Sequence, residues 1–315
     1  MHTDRDLVII GAGAAGLAAA QYGARANLNV LLLEELASGG QALLIDDLEN
    51  YPGFPEPLKG YDFTMRMEEQ ARKFGAEITT TTVESIYKAD TVFTIKSGQE
   101  LVTAKAVIIA TGSRHKHLSV PGEKEFQGRG VSYCATCDGP FFKNKKILVV
   151  GGGDAACDEA MYLSKLTDSV ILIHRRDRFR AQKALAARVL NNPHIKVRFN
   201  TECRSILGEK SVSRTLLHNN AEKREYEEEF SAVFVFIGSD PQTAMVRNSS
   251  LDVQFDEGGS IITNQRMETN VPGLFAAGDV RATPFRQLVV AASEGAIAAH
   301  CASQYIDELA GNAYL

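Results

Sequence analysis

Short, fully apolar runs alternate with glycine-rich turns and helix-forming stretches in the first part of the chain. Residues 7–10 and 30–33 are continuous hydrophobic runs of the length expected for strands buried on both faces. Between them, helix-forming residues begin at Leu17, and residues 63–74 carry apolar side chains at helical spacing. This order of strand, helix and strand predicts an α/β unit with a parallel sheet.

A pattern of alternating polar and apolar residues comes next in the sequence. Residues 83–87 and 92–96 change between polar and apolar with period two, which predicts a small antiparallel segment. The chain then returns, over residues 106–113, to an apolar run that ends in a glycine and a serine. We expect this run to rejoin the buried parallel sheet, with the antiparallel segment as an excursion from it.

The same plan recurs later in the chain. Apolar runs at 145–150 and 170–173 predict two further buried strands, with a helix from about 155 to 166 between them. The run 232–239 again ends in a glycine and a serine, as 106–113 does. We therefore predict an α/β fold of two Rossmann-like dinucleotide-binding domains, the second inserted into the first.

The predicted domain boundaries derive from this repetition. The first domain comprises residues 1–113 and 241–315, and the inserted domain comprises residues 114–240. Within the inserted domain, residues 196–230 predict hairpin strands with charged turns. A long helix of small residues is predicted over 288–309 and is assigned back to the first domain.

Composition narrows the class of protein. The 315 residues are 44% hydrophobic and 23% charged, as in ordinary globular proteins. A net charge of −5 argues mildly against nucleic acid as the main partner. No stretch is apolar enough to predict a membrane span, and the glycines after residue 10 argue against a signal peptide. Five cysteines do not indicate a secreted disulfide framework, so we expect a cytoplasmic protein.

The first glycine-rich turn has the spacing of a dinucleotide fingerprint. Gly11, Gly13 and Gly16 form G-x-G-x-x-G between a predicted strand and a predicted helix. These glycines permit a tight turn, approach of the backbone to a pyrophosphate, and close packing of helix on strand. Glu34 stands about twenty residues later, where an acid binds a ribose hydroxyl. The alternative is a glycine-rich turn that binds nothing.

A second fingerprint differs from the first in the residues after it. Gly151, Gly153 and Ala156 form G-x-G-x-x-A after the run at 145–150, but no acid ends the next strand. Basic residues stand there instead, and they are His174, Arg175, Arg176 and Arg180. Guanidinium groups bind phosphate oxygens bidentately, so this site is predicted to take the 2′-phosphate of NADPH. Surface ion pairs are the alternative interpretation of these arginines.

Candidate redox chemistry lies between the two fingerprints. Cys134 and Cys137 form Cys-x-x-Cys, with Asp138 directly after the second cysteine. Such a pair closes into a small disulfide, and one thiol pKa can fall well below its free value of about 8.5. The reduced pair can attack another disulfide by exchange. The same spacing is half of a zinc site, and a non-enzymatic redox sensor or zinc module is the alternative from another class.

Two polar motifs in the tail suit a ligand. Gly278 and Asp279 come after an apolar run, and together they can offer an amide and a carboxylate, although an ordinary turn would have the same residues. Arg286 and Gln287 open the helix predicted over 288–309, and helix N-termini favour polar or anionic ligand atoms. We expect these residues to complete the site that begins with the first fingerprint.

Taken together, these motifs resemble low-molecular-weight thioredoxin reductases over nearly the whole chain. The segments that carry the resemblance are 11–16, 39–41, 49–53, 110–112, 134–139, 151–153, 174–176, 179–181, 277–279 and 286–287. The Cys-Ala-Thr-Cys-Asp-Gly motif within the inserted domain separates this group from relatives whose redox cysteines lie in the flavin domain.

The resemblance implies a homodimeric flavoenzyme with FAD and NADPH that reduces thioredoxin and rotates one domain against the other. Hydride would pass from NADPH to FAD and then to the disulfide. Cys137 would face the flavin, Cys134 would attack thioredoxin, and Asp138 would transfer a proton unless it merely begins a turn. FAD would be bound in the first domain by Gly11, Gly13, Ala14, Ala15, Gly16, Glu34, Gly40, Gln41, Asn50, Val83, Ala110, Thr111, Gly112, Gly278, Asp279, Arg286 and Gln287. NADPH would be bound in the inserted domain by Gly151, Gly153, Asp154, Ala155, His174, Arg175, Arg176, Arg180, Ile237 and Gly238.

The chain departs from the family pattern in three places, at 34–35, 43–45 and 286–288. These departures concern fine contacts at the flavin rather than the class of enzyme. Two alternatives within the class stay open. The electrons could go to a glutaredoxin-like or peroxiredoxin partner, or NADH could be the donor, although the three arginines argue against NADH. The remaining cysteines, Cys157, Cys203 and Cys301, are expected to be small buried residues.

Overall fold

The first apolar run forms a strand, as its composition predicts. In this computed structural model, residues 3–45, 48 and 50–312 are described, apart from the side chains of Leu44, Thr136 and Cys137. The elements of the first third of the chain are β1 (Arg5–Ile10), α1 (Ala14–Arg25), β2 (Val30–Glu34), α2 (Gly60–Lys73), β3 (Glu77–Thr80), β4 (Ser85–Ala89), β5 (Val92–Ser97), β6 (Glu100–Ile109) and β7 (Ser113–His115).

The middle and the end of the chain continue the alternation of strands and helices. The middle elements are β8 (Val131–Ser132), α3 (Ala135–Asp138), β9 (Ile147–Gly151), α4 (Asp154–Leu163), β10 (Val170–Ile173), α5 (Lys183–Asn191), β11 (Ile195–Arg198), β12 (Thr201–Gly208), β13 (Val212–Asn219), β14 (Arg224–Glu229) and β15 (Ala232–Phe236). The final elements are β16 (Ser239–Pro241), α6 (Ala244–Arg247), β17 (Leu274–Ala276) and α7 (Leu288–Leu309). Short 3-10 turns lie at Gly40–Leu44 and Gly139–Phe142.

The chain divides into two compact units. Unit 1 comprises Met1–Arg114 and Asp240–Leu315, and unit 2 comprises His115–Ser239. The polypeptide passes from one unit to the other within β7 and returns within β16. Unit 2 is therefore an insertion in unit 1. None of the helices in the described part of the chain combines the length and the apolarity that a bilayer crossing requires.

Unit 1 is built on one mixed sheet, whose strand order is β3-β2-β1-β6-β5-β4, with β17 also paired to β6. The strands β2, β1, β6 and β17 run parallel, whereas β4, β5 and β6 form an antiparallel meander. The alternating runs at 83–87 and 92–96 correspond to β4 and β5, whereas the apolar run expected to begin at residue 106 is the second half of a longer strand, the ten-residue β6. Its first half pairs with β5 and its second half is buried between β1 and β17.

Both faces of this sheet are covered, which explains why β1 is apolar without alternation. Leu7 and Ile9 face one core, which includes α1 and α7, and Val8 and Ile10 face a second core on the opposite side. All four side chains are buried, with at most 5% of their surface exposed. The helix α7 has the bounds expected from the sequence and packs against α1.

Unit 2 repeats the parallel arrangement in a sheet of order β11-β10-β9-β15-β8. A separate antiparallel sheet, β12-β13-β14, is formed by the residues between β11 and β15. Residues 196–230 were expected to form hairpin strands only, and this is wrong for the first of them, since β11 joins the parallel sheet beside β10. The strand β11 lies at the edge of the sheet, where only Ile195 is buried, and its half-polar composition made it resemble a hairpin strand.

A three-membered ionic network ties β14 to the parallel sheet of unit 2. Glu228 accepts hydrogen bonds from both terminal nitrogens of Arg198, one of them at 2.9 Å, and its Oε1 lies 2.8 Å from Lys146 Nζ. The Glu228 side chain is only 17% exposed. Hydrogen bonding to Arg198, with Lys146 assisting and burial opposing, lowers the pKa of Glu228 to about 2.

This network predicts an acid-sensitive contribution to the stability of unit 2. A glutamate whose folded-state pKa is depressed contributes stability above its unfolded pKa, and the contribution is lost as the pH falls through the folded value. We expect Glu228→Gln to reduce the free energy of unfolding at pH 7 by about 1–2 kcal/mol. The difference from wild type should shrink between pH 4.5 and about 2, as measured by denaturant unfolding at each pH.

The adjacent residue Glu227 provides the control. Its carboxylate pairs with Arg214 at 2.9 Å, and both side chains are more than half exposed. Glu227→Gln should change stability little at any pH. Equal losses in the two variants, or a Glu228→Gln difference that persists at pH 2, would contradict the assignment.

Candidate functional site

The first glycine-rich loop joins β1 to α1 and leaves no room for side chains on its inner side. Gly11 has a φ of +102°, and a Cβ atom there would lie 2.4 Å from the carbonyl oxygen of Ala110. A Cβ atom on Gly16 would lie 1.8 Å from the carbonyl oxygen of Gly11. Glycine is required at both positions, because the loop packs closely on its own backbone and on the end of β6.

The outer side of the same loop is open at Gly13. No atom of the described residues lies within 4 Å of the position that a Cβ of Gly13 would take. Gly13 is the N-cap of α1, and Ala14 and Ala15 form its buried first turn. The first N–H groups of a helix have no partner within the helix and attract anions. Open backbone at a helix N-terminus fits a pyrophosphate, as the sequence predicts.

Glu34 is held at the edge of this loop, at the end of β2. Its Oε2 accepts a hydrogen bond from the Ala12 N–H at 2.6 Å, and its Oε1 accepts one from the Leu36 N–H at 3.1 Å. Each carboxylate oxygen has a second lone pair, so Glu34 can still accept a bond from a ribose hydroxyl. The neighbouring Glu35 lies 3.6 Å from Arg114 in an exposed ion pair. This departure from the family pattern therefore leaves Glu34 in place.

The segment after β2 folds back over the loop. The Gly39 N–H donates to the carbonyl of Ala12 at 2.7 Å, and a Cβ on Gly40 would lie 3.2 Å from the Cα of Gly13. Gln41 donates from Nε2 to the carbonyl of Ser113 at 2.6 Å. Gly40 is thus brought to the first glycine loop, and Gln41 to the start of β7. Glu49 and the side chain of Leu44, which belong to the next motifs, are outside the described residues.

Ala110, Thr111 and Gly112 come after β6 and are fixed by a residue that sequence reasoning missed. Gln242 donates from Nε2 to the Thr111 carbonyl at 2.8 Å, and its own carbonyl accepts the Thr111 hydroxyl at 2.7 Å. Its N–H donates to the Gly112 carbonyl at 2.9 Å. Ala110 is buried. No local pattern marks Gln242, because its partners lie about 130 residues earlier.

The turn after β17 places Gly278 and Asp279 next to the same loop. A Cβ on Gly278 would lie 3.0 Å from the Cβ of Ala15. The Gly278 N–H already donates to Glu294 at 2.8 Å, so this amide is not the one that the turn could offer to a ligand, whereas the Asp279 carboxylate stays a candidate. Burial raises the pKa of Asp279, with Arg286 opposing and Glu294 adding to the shift.

The remaining predicted flavin contacts belong to three other segments of unit 1. Asn50 donates from Nδ2 to Gln287 Oε1 at 3.0 Å, which joins two motifs that are 237 residues apart. Arg286 is exposed just before α7. Val83 is half-buried after β3 and packs against the second core of unit 1. Val83 is therefore not in a strand, as its alternating neighbours had predicted, but in the loop before β4.

Unit 2 has a glycine-rich loop of the same design between β9 and α4. A Cβ on Gly151 would lie 2.3 Å from the carbonyl oxygen of Phe236, at the end of β15. Gly153 is the N-cap of α4, and no atom of the described residues lies within 4 Å of its Cβ position. Asp154 and Ala155 begin the helix. There is no room for a side chain at Gly151, whereas the space next to Gly153 is open, as for Gly11 and Gly13 in unit 1.

His174 covers the middle of this second loop. A Cβ on Gly152 would lie 2.3 Å from His174 Nδ1, so the imidazole occupies the space that a side chain would need. Burial lowers the pKa of His174, and the nearby Arg180 and other arginines lower it further. Its Nε2 is buried and has no hydrogen-bond partner among the described residues. A neutral imidazole with a spare ring nitrogen fits a polar ligand next to the loop.

Two of the three predicted phosphate-binding arginines, Arg176 and Arg180, line one cleft of unit 2. This cleft has a volume of about 710 Å³ and is lined by Arg176, Asp177, Arg178, Phe179, Arg180 and Asn200. The Arg180 N–H donates to the Gly152 carbonyl at 2.7 Å, so the segment folds back on the loop. Arg175 is exposed just before the cleft residues. Arg178 and Asn200 were missed, although Asn200 could have been found at the end of β11, next to β10.

Ile237 and Gly238 end the run that began with β15. Gly238 has a φ of +111°, and its carbonyl accepts the Lys116 N–H at 2.8 Å. The end of β15 lies next to the end of β9, because the two strands pair in parallel up to Gly151. Both residues are thus at the strand edge where the second glycine loop begins, as the resemblance implies.

The redox motif is held by backbone and side-chain hydrogen bonds within unit 2. Cys134 is half-buried and disulfide-bonded. The Ser132 hydroxyl accepts the Cys134 N–H and donates to the Cys134 carbonyl, both at 3.0 Å. The Asp138 N–H also donates to the Cys134 carbonyl, at 3.2 Å. The side chain of Cys137, the predicted partner, lies outside the described residues.

The other cysteines differ from Cys134 in oxidation state and access. Cys157, Cys203 and Cys301 are free and buried. Burial raises the pKa of Cys157 and that of Cys203 to about 12, with nearby acids adding to both shifts. Such thiols stay protonated and unreactive at neutral pH. Within the described part of the chain, no cluster of three or more His, Cys, Asp or Glu residues could hold a metal ion.

Known proteins resemble this chain in sequence and in fold. The family model described as pyridine nucleotide-disulphide oxidoreductase matches residues 5–295. The thioredoxin reductase of Treponema pallidum is 54% identical over 309 residues, which cover 98% of this chain and 99% of that protein. The thioredoxin reductase of Bacillus subtilis is 43% identical, with 96% and 95% covered. A crystal structure of Lactococcus lactis thioredoxin reductase matches with a TM-score of 0.91 at 40% identity, covering 97% of this chain and all of that one.

The arginine cleft predicts a preference for the phosphorylated nicotinamide coenzyme. We expect Arg176→Ala and Arg180→Ala each to weaken NADPH binding about ten- to hundredfold, because each would remove a charge-assisted hydrogen bond to phosphate. NADH binding should change far less, since NADH carries no 2′-phosphate. Equilibrium titrations with both coenzymes provide the measurement. Arg214→Ala, at an exposed ion pair on β13, is the control. Equal losses for NADPH and NADH would refute the phosphate role.

Proposed function

This chain belongs to the pyridine nucleotide-disulphide oxidoreductase family and, within it, to the thioredoxin reductases, and from that premise we propose how its residues perform the reaction. The enzyme transfers two electrons from NADPH through FAD and a disulfide to oxidised thioredoxin. The observation that carries the proposal is the disulfide-bonded Cys134 in the same unit as the second glycine loop.

Unit 1 is proposed to hold FAD. The open backbone at Gly13 and the first turn of α1 would bind the pyrophosphate, and Glu34 would accept a hydroxyl of the adenosine ribose. Asp279 would bind a hydroxyl of the flavin side chain. The other proposed FAD contacts are those named from the sequence in segments 11–16, 40–41, 110–112 and 286–287, with Asn50 and Val83.

Unit 2 is proposed to hold NADPH. Gly151, Gly153 and the start of α4 would bind the pyrophosphate by the same backbone geometry. Arg176 and Arg180 would bind the 2′-phosphate in the cleft that they line. Asp154 and Ala155, the basic residues next to the cleft, and the end of β15 complete the proposed contacts, which include His174, Arg175, Ile237 and Gly238.

The chemistry of the chain itself is thiol–disulfide exchange. Bound NADPH and FAD together supply the hydride that reduces the disulfide of Cys134, for which Cys137 is the proposed partner. Reduction breaks one S–S bond and takes up two electrons, and Asp138 is proposed to handle the accompanying proton. The Cys134 thiolate would then attack the thioredoxin disulfide, and the Cys137 thiolate would displace reduced thioredoxin and re-form the internal disulfide.

The oligomeric state, the compartment and the partners of the enzyme are also proposals. We expect a homodimer, as the resemblance implies, and the cytoplasm as its compartment, because reduced thioredoxin is used where thiols are kept reduced. Neither nucleic acid nor membrane is expected as a partner, given the net charge of −5 and the lack of a long apolar stretch in the sequence.

Substitution of the proposed attacking cysteine tests the direction of electron flow. Cys134→Ser should still permit reduction of the flavin by NADPH in the stopped-flow spectrophotometer. Turnover of thioredoxin should fall by at least about a thousandfold, because the hydroxyl cannot form the mixed disulfide. The assay measures NADPH oxidation with purified thioredoxin, and a glutaredoxin in parallel tests the alternative partner.

A buried thiol provides the control for this variant. Cys203→Ala, at a thiol whose pKa burial raises to about 12, should retain turnover close to wild type. Normal thioredoxin turnover by Cys134→Ser would remove the role assigned to Cys134. Faster turnover of wild type with the glutaredoxin than with thioredoxin would instead identify a glutaredoxin-like protein as the substrate.

A further inference from the structure

A glutamate in the second turn of α7 is buried next to the proposed flavin site. Glu294 is only 6% exposed. A buried carboxylate is costly unless hydrogen bonds or an opposite charge compensate it, so both of its oxygens should have partners. Oε2 accepts the Gly278 N–H at 2.8 Å, and Oε1 accepts a hydrogen bond from a terminal nitrogen of Arg281.

These two partners lie at the two ends of one turn. The Arg281 N–H donates to the Gly278 carbonyl at 3.1 Å, which closes the turn that contains Asp279. Arg281 is itself fixed, because its Nε donates to the Thr263 hydroxyl at 2.6 Å and its side chain is 11% exposed. A single carboxylate of α7 therefore fastens the turn at both ends.

The same point of α7 is in contact with the first glycine loop. A Cβ on Gly295 would lie 2.0 Å from the carbonyl oxygen of Ala15, so α7 and α1 approach as closely as backbone permits. A Cβ on Gly278 would lie 3.0 Å from the Cβ of Ala15. The fingerprint helix, the turn after β17 and α7 thus meet at Glu294. A displacement of the turn would also change its distance from α1.

We infer that Glu294 is a positioning residue for FAD, which fastens the Gly278–Asp279 turn to α7 and so holds Asp279 next to the fingerprint helix. This inference rests on the proposed FAD site in unit 1. Glutamine cannot replace Glu294, because its single amide oxygen can accept from Gly278 or from Arg281 but not replace both carboxylate oxygens. One buried donor would be left without its partner.

Glu294 also acts on the charge of Asp279. The charged groups that act on this carboxylate are Arg286 and Glu294, and the Ser113 hydroxyl donates a hydrogen bond to it. Burial raises the pKa of Asp279 most, Arg286 opposes the shift, and Glu294 adds to it. Removal of the Glu294 charge should lower the pKa of Asp279, so that Asp279 stays ionised to lower pH.

The test compares FAD binding by wild type, Glu294→Gln and Glu308→Gln. The last variant removes the same charge from an exposed position of the same helix. Purified protein is freed of FAD, and the dissociation constant is measured by fluorescence titration over a range of pH. Glu294→Gln should bind FAD about tenfold more weakly at pH 7, and Glu308→Gln should bind it like wild type. Any acid-side loss of affinity should move to lower pH in Glu294→Gln only.

A double variant keeps the test decisive if Glu294→Gln folds poorly. In Arg281→Gln/Glu294→Gln, the amide oxygen of residue 294 is free to accept the Gly278 N–H, and no unpaired guanidinium remains. This variant should recover much of the FAD affinity. Wild-type affinity and an unchanged pH profile in Glu294→Gln would overturn the inference, as would a double variant that binds no better than the single one. Failure of wild type to bind FAD would instead overturn the proposed function on which the inference rests.

Discussion

The structure depends on close backbone approach at the ends of two pairs of parallel strands. In unit 1, the turn after β1 touches the carbonyl of Ala110 after β6, and in unit 2 the end of β9 touches the carbonyl of Phe236 in β15. The parallel register brings these carbonyls to the turns, since Ile10 pairs with Ile109 and Gly151 with Phe236. Only glycine fits at these close contacts. The helix that follows each turn therefore begins with its N-terminus next to the carboxyl ends of the strands.

In each unit, contacts between residues that are distant in sequence position the other polar groups of the proposed site. In unit 1, Gln41 bonds to Ser113, Gln242 bonds to the segment after β6, and Glu294 fastens the turn that contains Asp279 to α7. In unit 2, the segment after β10 folds back on the loop through the Arg180 N–H. The cysteines also differ in role, because Cys134 is in a half-buried disulfide whereas Cys203 is a buried, protonated thiol.

Much of this arrangement could be predicted from the sequence, because local signals specify it. Consecutive residues are enough to predict the apolar strands β1 and β10, the two glycine-rich turns and the full length of α7. The edge strand β11 was missed because an edge strand is only half-buried, and the first half of β6 was missed because residues 100–103, which pair with β5, are not buried. Gln242 and Glu294 could not be found, since their roles come from contacts with residues that are distant in sequence.

The most direct measurement of the central claim is an anaerobic titration of the purified protein with NADPH, monitored by visible absorbance and by counting thiols. The protein should be yellow, and two equivalents of NADPH should be consumed in all, one to reduce the flavin, which bleaches, and one to open the Cys134 disulfide to two thiols. A colourless protein, or a disulfide that stays oxidised in excess NADPH, would contradict the transfer of electrons from a nicotinamide through FAD to the paired cysteines.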